Sequence, residues 1–408
     1  MCIHLNAKTL IMSYLLAASS FLISMLLAMI VIPRILVIAL KHSLYDIPNK
    51  RKIHTEAVPR LGGVSFTPCI HISMLFILSF FYMFNDVTEM HEYYYPNISE
   101  LCLFFCGLLF LYLGGIKDDL VGMRFRGKFA IQIISSILIV LSGLYINNFY
   151  GFLGIYEIPI WIGIPLTIMV LVFIINAINL IDGMDGLASG ISIFALCVYG
   201  TLFLLHGLWY YSILAFSTVG VLTTFFYFNV FGNVKKGQKL FMGDSGSLTL
   251  GFILGFLSLR YVFYNPDIIT PIGNTLVIAV SPILIPMLDV MRVMLSRIKR
   301  RKHLFKPDRN HIHHKLLDMN FGKSIALVVL LCITSGFCFF NFLLMRYLNS
   351  FYIFSIDIIM WTLLNIYFTH LVKKRNLKTE VKMTDKQVEE KKIEKKQIDP
   401  PTKVAVVL

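Results

Sequence analysis

Two aspartates three residues apart, Asp182 and Asp185, stand in the stretch NAINLIDGMDGLASG (residues 176–190), where one apolar run ends and the next begins. A membrane helix would emerge into water at such a junction. Hydrocarbon penalises a charge by roughly 3 kcal/mol or more, so acids kept there are candidates for chemistry. GIKDDL sets Asp118 beside Asp119 at the end of another apolar run, with Arg124, Arg126 and Lys128 following. Adjacent carboxylates repel unless a cation or a shared proton relieves them. Magnesium bound together with phosphate oxygens would do so; helix capping is the alternative use of the pair. FMGDSGSL (241–248) places Asp244 ahead of a further apolar run, a cap if taken alone and a metal-ligand candidate beside the other acids.

Two basic stretches complete the set. In PDRNHIHHK (307–315) the imidazoles of His311, His313 and His314 lie between Arg309 and Lys315. Such a cluster suits an anionic ligand such as phosphate, with a structural role and a zinc site as the alternatives. DIPNKRKIHTEAVPRLGG (46–63) leads through Gly62 and Gly63 into an apolar run; its backbone N–H groups suit phosphate oxygens, and contact with anionic lipid is the other reading. Acids, cations and histidines together describe a site for a phosphorylated, metal-bound substrate, and hence phosphoryl chemistry.

The elements that carry these stretches are membrane helices. Hydrophobic residues form 57% of the 408 positions and the mean hydropathy is +0.74, which no water-facing surface accommodates. Windows of about 20 apolar residues predict about eleven transmembrane helices, near 10–32, 62–84, 100–115, 129–147, 159–180, 187–205, 208–230, 246–264, 273–295, 324–346 and 352–371. The fold class is therefore an all-α polytopic membrane protein. The basic loops follow the first, third, seventh and ninth spans, which puts the N-terminus outside, the C-terminus in the cytoplasm and all five stretches on the cytoplasmic face. Residues 1–372 form the membrane domain, and 373–408 a charged, mobile or partly helical cytoplasmic tail. The first run has Lys8 before it and a more basic flank after it, so it reads as a retained span.

The net charge of +14 is distributed over loops and tail, which the topology rule explains without nucleic acid. Most of the 7 cysteines fall in apolar runs and read as buried thiols. Gly251 and Gly255 form a GxxxG pair that reads as close packing within the chain, with a homodimer as the alternative. No internal repeat of the kind found in many secondary transporters is present, and the acids lie at span ends, so a transporter for an anionic solute is the weaker reading from a different class.

The series DIPN…H…PRLGG, KDD, NAINLIDGMDGLASG, FMGDSGSL and PDRNHIHH, in that order from about Asp46 to Gly322, resembles the polyprenyl-phosphate N-acetylhexosamine-1-phosphate transferases. That family is related to the phospho-MurNAc-pentapeptide translocase and starts polymers such as lipopolysaccharide O-antigen and wall teichoic acid. The resemblance implies an enzyme of the cytoplasmic (inner) membrane. A UDP-N-acetylhexosamine, by default UDP-GlcNAc, and undecaprenyl phosphate would give a lipid diphospho-sugar and UMP, with Mg2+ or Mn2+ as cofactor. It further implies Asp244 as the metal ligand, Asp118 and Asp119 as the acidic pair, Asp182 as a catalytic carboxylate, and His313 and His314 as the histidine motif. Lys128, Asn179, Leu180, Asp185, Asn229, Phe241, Arg309 and His311 are implied on the substrate side. His-Ile-His-His in place of an uninterrupted histidine run, and Val58-Pro59-Arg60 in place of Thr-Pro-Thr, set the chain apart from the translocase, the alternative within the family.

Overall fold

The computed structural model describes residues 7–46, 58–84, 98–263, 274–301 and 311–398. The order is α1 (Ala7–Lys41), strands β1 (Tyr45–Asp46) and β2 (Val58–Pro59), a 3-10 turn (Gly62–Ser65), α2 (Phe66–Phe84), α3 (Ile98–Val121) and α4 (Phe125–Leu141). A hairpin, β3 (Asn148–Phe152) and β4 (Ile155–Glu157), precedes α5 (Ile160–Ile181), α6 (Leu187–Leu205), α7 (Trp209–Phe226) and α8 (Gly243–Val262). The remainder is α9 (Thr275–Val280), α10 (Leu284–Lys299), α11 (Ile312–Asp318), α12 (Lys323–Leu344) and α13 (Ser350–Ile398).

Among the described residues ten helical segments are long and apolar enough to cross a membrane, against about eleven expected. The difference is the fourth. The apolar run over 129–147 yields a helix of only 17 residues, Phe125–Leu141, because Ser142 caps it and Gly143, at φ 91°, turns the chain out of the helix. At 1.5 Å per residue α4 is about 26 Å long, just short of a hydrocarbon core. The C-terminal ends of α3 and α5 both reach the cluster of acids described below, so α4, packed between them, must carry the chain back across. The ninth expected span is also broken, into α9, a 3-10 turn (Ser281–Ile283) and α10. Pro282 and Pro286 lack the N–H groups that a continuous helix would use there. At the other end of the chain α13 runs through 372–373 into the charged segment with no break.

At the centre is α8, every residue of which is buried. A helix enclosed on all sides needs close partners. Gly251 lies against α5, where a β-carbon would come within 2.6 Å of the Ile175 Cα, and Gly255 meets Leu171 and Ile174. The GxxxG pair therefore packs within the chain. On the opposite side Phe104 of α3 stacks on Phe252 and Phe256, with ring centroids 5.5 and 4.2 Å away.

Near the end of α8 remote from the acids lies a buried ion pair. Arg260 donates from Nε to Tyr211 Oη at 2.8 Å, Tyr211 donates to Glu100 at 2.9 Å, and Arg260 Nε lies 3.5 Å from the same carboxylate oxygen. Removing one member of such a pair costs about 3–5 kcal/mol because the other charge stays buried. Glu100→Ala is expected to lower the melting temperature in detergent sharply and Glu100→Gln less so; unchanged melting of Glu100→Ala would show that the pair contributes nothing to stability.

Candidate active site

The site is built on the N-terminus of α8. Gly243 adopts φ 76°, a left-handed conformation, and a β-carbon there would come within 2.6 Å of both the Arg60 carbonyl and the Asp119 carboxylate. The first N–H groups of a helix have no partner inside it. Here Asp119, from the end of α3, accepts from the backbone N–H of Asp244 at 2.7 Å and of Ser245 at 2.9 Å. Capping is thus the use this structure makes of Asp119, across two helices and not within its own. The PRLGG segment is laced to the same turn. Phe241 N–H donates to the Pro59 carbonyl at 2.8 Å, Gly62 N–H to that of Phe241 at 2.9 Å, and Gly63 N–H to that of Met242 at 2.7 Å. Only a glycine at 63 permits this approach, since a β-carbon there would fall 2.0 Å from the Gly246 nitrogen.

Asp244, fixed in this way, collects three donors. Arg60 Nη2 reaches its Oδ2 at 2.6 Å, while Lys128 Nζ and Asn179 Nδ2 reach its Oδ1 at 3.1 and 2.8 Å. Lys128 also pairs with Asp118, whose other oxygen accepts from the Met123 N–H at 2.5 Å. Arg60 Nε lies 3.6 Å from Asp119. Asp182, just past the end of α5, lies in the field of the same groups. Burial first, then the charges of Asp244, Asp119 and Asp185, push its carboxyl well above the usual range, and Arg60 pulls it down. Three carboxylates, Asp118, Asp119 and Asp244, therefore face two cations, Arg60 and Lys128, with the Asp182 carboxyl in the same field.

A pocket so short of positive charge fits a divalent cation. Among the described residues no three carboxylate, imidazole or thiol groups stand ready to enclose one without help. Magnesium takes one or two carboxylates and completes its shell with water and substrate phosphates.

The other expected residues lie around this centre. Asp185 is paired with Lys239 at 2.8 Å and Lys323 at 3.5 Å. Leu180 is exposed. Asn229 sits in the wider i→i+5 turn (Tyr227–Phe231) that ends α7, a form frequent at functional sites. Its amide is spent on the backbone: Oδ1 accepts from Gly186 N–H at 2.6 Å and Nδ2 donates to the Leu240 carbonyl at 2.8 Å, which holds the 176–190 loop to the segment before Asp244. Phe241 contributes its main chain to the PRLGG pairing.

The histidines pack under the same loop. His311 lies with Nδ1 2.8 Å from Asp289 of α10, and Asp289 also holds Arg292 at 2.9 Å. Lys315 anchors α11 to α13 through Asn365 and Thr369, at 3.2 and 3.0 Å. His313 is buried with neither ring nitrogen hydrogen-bonded among the described residues, and a β-carbon on Gly183 would come within 2.9 Å of its Nε2. Burial, with His314 and His311 beside it, lowers its pKa to about 3, so it is a neutral imidazole. His314 is half-buried, its ring centroid 4.3 Å from that of His313. Arg309 lies outside the described residues.

Asp289 and Arg60 are among the residues of the site that the sequence alone did not mark. Asp289 had a signal, a lone carboxylate inside an apolar run. Arg60 had none that separated it from the other cations of its loop.

Membrane helices whose ends converge on acids, cations and imidazoles define a polytopic membrane protein with a polar site at one set of helix ends. The model of glycosyl transferase family 4 matches residues 101–262. A Bacillus subtilis (strain 168) protein named "Probable undecaprenyl-phosphate N-acetylglucosaminyl 1-phosphate transferase" is 32% identical over 324 residues, covering 78% of this chain and 82% of the relative. The Escherichia coli (strain K12) protein named "Undecaprenyl-phosphate alpha-N-acetylglucosaminyl 1-phosphate transferase" is 28% identical over 295 residues, 72% of this chain and 74% of the relative. Its namesake from Salmonella typhimurium is 29% identical over the same lengths. The chain belongs to the polyprenyl-phosphate N-acetylhexosamine-1-phosphate transferase family.

Proposed function

We propose that the protein transfers an N-acetylhexosamine 1-phosphate, GlcNAc 1-phosphate by preference, from its UDP-sugar to undecaprenyl phosphate, releasing UMP as the first membrane step of a cell-envelope polysaccharide. The observation that carries the reading is the convergence of Asp118, Asp119, Asp182 and Asp244 with Arg60 and Lys128. A UDP-sugar and a lipid phosphate bring the phosphate charge that such cations recognise. The basic loops support a site on the cytoplasmic face of the cytoplasmic membrane, the side on which nucleotide sugars are made.

The reaction is an in-line displacement. A lipid phosphate oxygen attacks the β-phosphorus, the bond from that phosphorus to the oxygen bridging the α-phosphate breaks, and UMP departs with the bridging oxygen. A phosphate monoester has a second pKa of about 6, so the nucleophile is already mostly dianionic at neutral pH and needs little help from a base. Asp118 then serves to orient Lys128, and Asp119 to hold the α8 N-terminus and Asp244 in place. Asp244, with Asp118 or Asp182 beside it, would hold a magnesium ion. That ion, when bound, neutralises phosphate charge as it shifts during transfer. Lys128 and Arg60 present donors to the same oxygens. Asp185 with Lys239, Leu180 and the Phe241 segment would line the nucleotide end.

His313 acts in this scheme as a neutral hydrogen-bonding group. His313→Gln is expected to fold and to lose roughly tenfold or more in turnover. A histidine held neutral in the fold but free to charge near pH 6.5 when unfolded takes stability away as the pH falls below 6.5, and none above it. The melting temperature of the wild type should therefore fall more steeply than that of His313→Gln between pH 6.5 and 4.5; parallel curves and equal turnover would leave His313 without a role.

The function itself is tested by UMP release from the detergent-purified protein with Mg2+ and UDP-GlcNAc, with and without undecaprenyl phosphate. Release that requires both lipid and metal is expected. Release with a different UDP-N-acetylhexosamine alone would revise the sugar, and none with any UDP-sugar from folded protein would refute the proposal.

A further inference from the structure

Three donors share Asp244, and its two cations differ in exposure. Lys128 is fixed from two sides, by Asp118 and by Asp244, and its side chain is 27% exposed. Asn179 Nδ2 divides itself between Asp244 at 2.8 Å and Ser247 Oγ at 2.7 Å, on the first turns of α8. Both act on Oδ1. Arg60 has Oδ2 to itself among these three, at 2.6 Å, with its Nε 3.6 Å from Asp119, on a side chain that is 40% exposed. Its backbone, in contrast, is fixed, because Pro59, Gly62 and Gly63 on either side are hydrogen-bonded to 241–242. The guanidinium, the more exposed of the two cations on Asp244, thus stands on a pinned main chain.

A divalent cation and a guanidinium cannot occupy one carboxylate oxygen together, since like charges at such range repel strongly. We propose that Arg60 is a catalytic residue with two alternating partners: it covers Asp244 Oδ2 in the unliganded protein, yields that oxygen to the divalent cation, and turns to the diphosphate oxygens of the incoming UDP-sugar. A guanidinium offers paired N–H donors that match either a carboxylate or a phosphate, which a lysine ammonium does not. In the first partnership it keeps the acids from repelling one another. In the second it binds the substrate and stabilises the charge that gathers on the departing UMP.

This inference rests on Asp244 as the holder of the metal, and it separates from a plain structural salt bridge by a sign. Loss of a residue that only props up Asp244 would weaken metal binding. Loss of a residue that competes for Asp244 strengthens it. The experiment is Mn2+ binding to the detergent-purified full chain without substrates, followed by electron paramagnetic resonance, for wild type, Arg60→Ala, Arg60→Lys and Asp244→Ala. Arg60→Ala is expected to bind Mn2+ roughly tenfold more tightly and to need roughly tenfold more UDP-sugar for half-maximal UMP release, with Arg60→Lys between it and the wild type. Unchanged or weaker Mn2+ binding by Arg60→Ala, with binding lost in Asp244→Ala, overturns the Arg60 proposal and leaves the metal assignment standing. Binding retained by Asp244→Ala removes the metal assignment and the proposal with it. Should Arg60→Ala not fold, Arg60→Gln removes the charge while keeping a hydrogen-bonding side chain, and the same outcomes decide.

Discussion

Asp244→Ala lowers turnover by roughly a thousandfold or more, and added metal does not restore it. The expectation follows from the number of groups that meet on this one carboxylate. Arg60, Lys128 and Asn179 all donate to it, so its removal disperses the cations and, with them, the proposed metal site. Asp244→Asn separates the two effects. The amide keeps the shape and one acceptor oxygen but supplies no charge, so the fold and the melting temperature should survive while turnover does not. The check is UMP release across a magnesium titration, beside a melting curve for each variant. Near-normal turnover of Asp244→Ala would mean that the metal is held elsewhere.

Asp119→Ala is the second large effect, and its cause is mechanical. The carboxylate lies on α3 but caps α8, accepting from both Asp244 N–H and Ser245 N–H. Loss of a cap of this kind costs about 1–2 kcal/mol. The larger consequence is at the site, because Asp244 is the residue whose backbone is released. A displacement of about 1 Å in a reacting group costs on the order of a hundredfold in rate. Asp119→Ala should therefore combine a modest fall in melting temperature with a loss of turnover of about a hundredfold. Asp119→Asn, which presents one acceptor oxygen in place of two, should lie between that variant and the wild type. A variant that melts early yet turns over normally would show that the cap serves stability alone.

The apolar runs made the spans legible, because hydrocarbon imposes a length and a composition that few other constraints match. What stayed hidden was where those runs stop. The fourth ends at Leu141 through Ser142 and Gly143, and the ninth breaks at Pro282; both signals are written in the residues, but averaging over about 20 positions erases them. The acids were legible by the same physics, as charges at the edges of apolar runs. The division of labour among them was not. Asp118 and Asp119 are neighbours in the chain, yet one turns to Lys128 and the other to the start of α8, 125 positions away. A capping residue is normally sought next to its own helix, so no local pattern announces a cap supplied from α3. Asn229 is a similar case: its amide polarity marks it as a group with a task, and only the fold shows that Gly186 and Leu240 are its partners. Arg60 was lost among cations that topology alone explains.

In the proposed reaction a sugar phosphate moves, and not the sugar alone. The most direct measurement uses UDP-GlcNAc carrying 32P in the β-phosphate, incubated with the purified protein, Mg2+ and undecaprenyl phosphate, with the products separated into lipid and aqueous fractions. Transfer as described puts the label in the lipid fraction and leaves the released UMP unlabelled. Labelled UDP in the aqueous fraction, with sugar but no label in the lipid, would contradict it, because the bond broken would then be the one between the sugar and its phosphate.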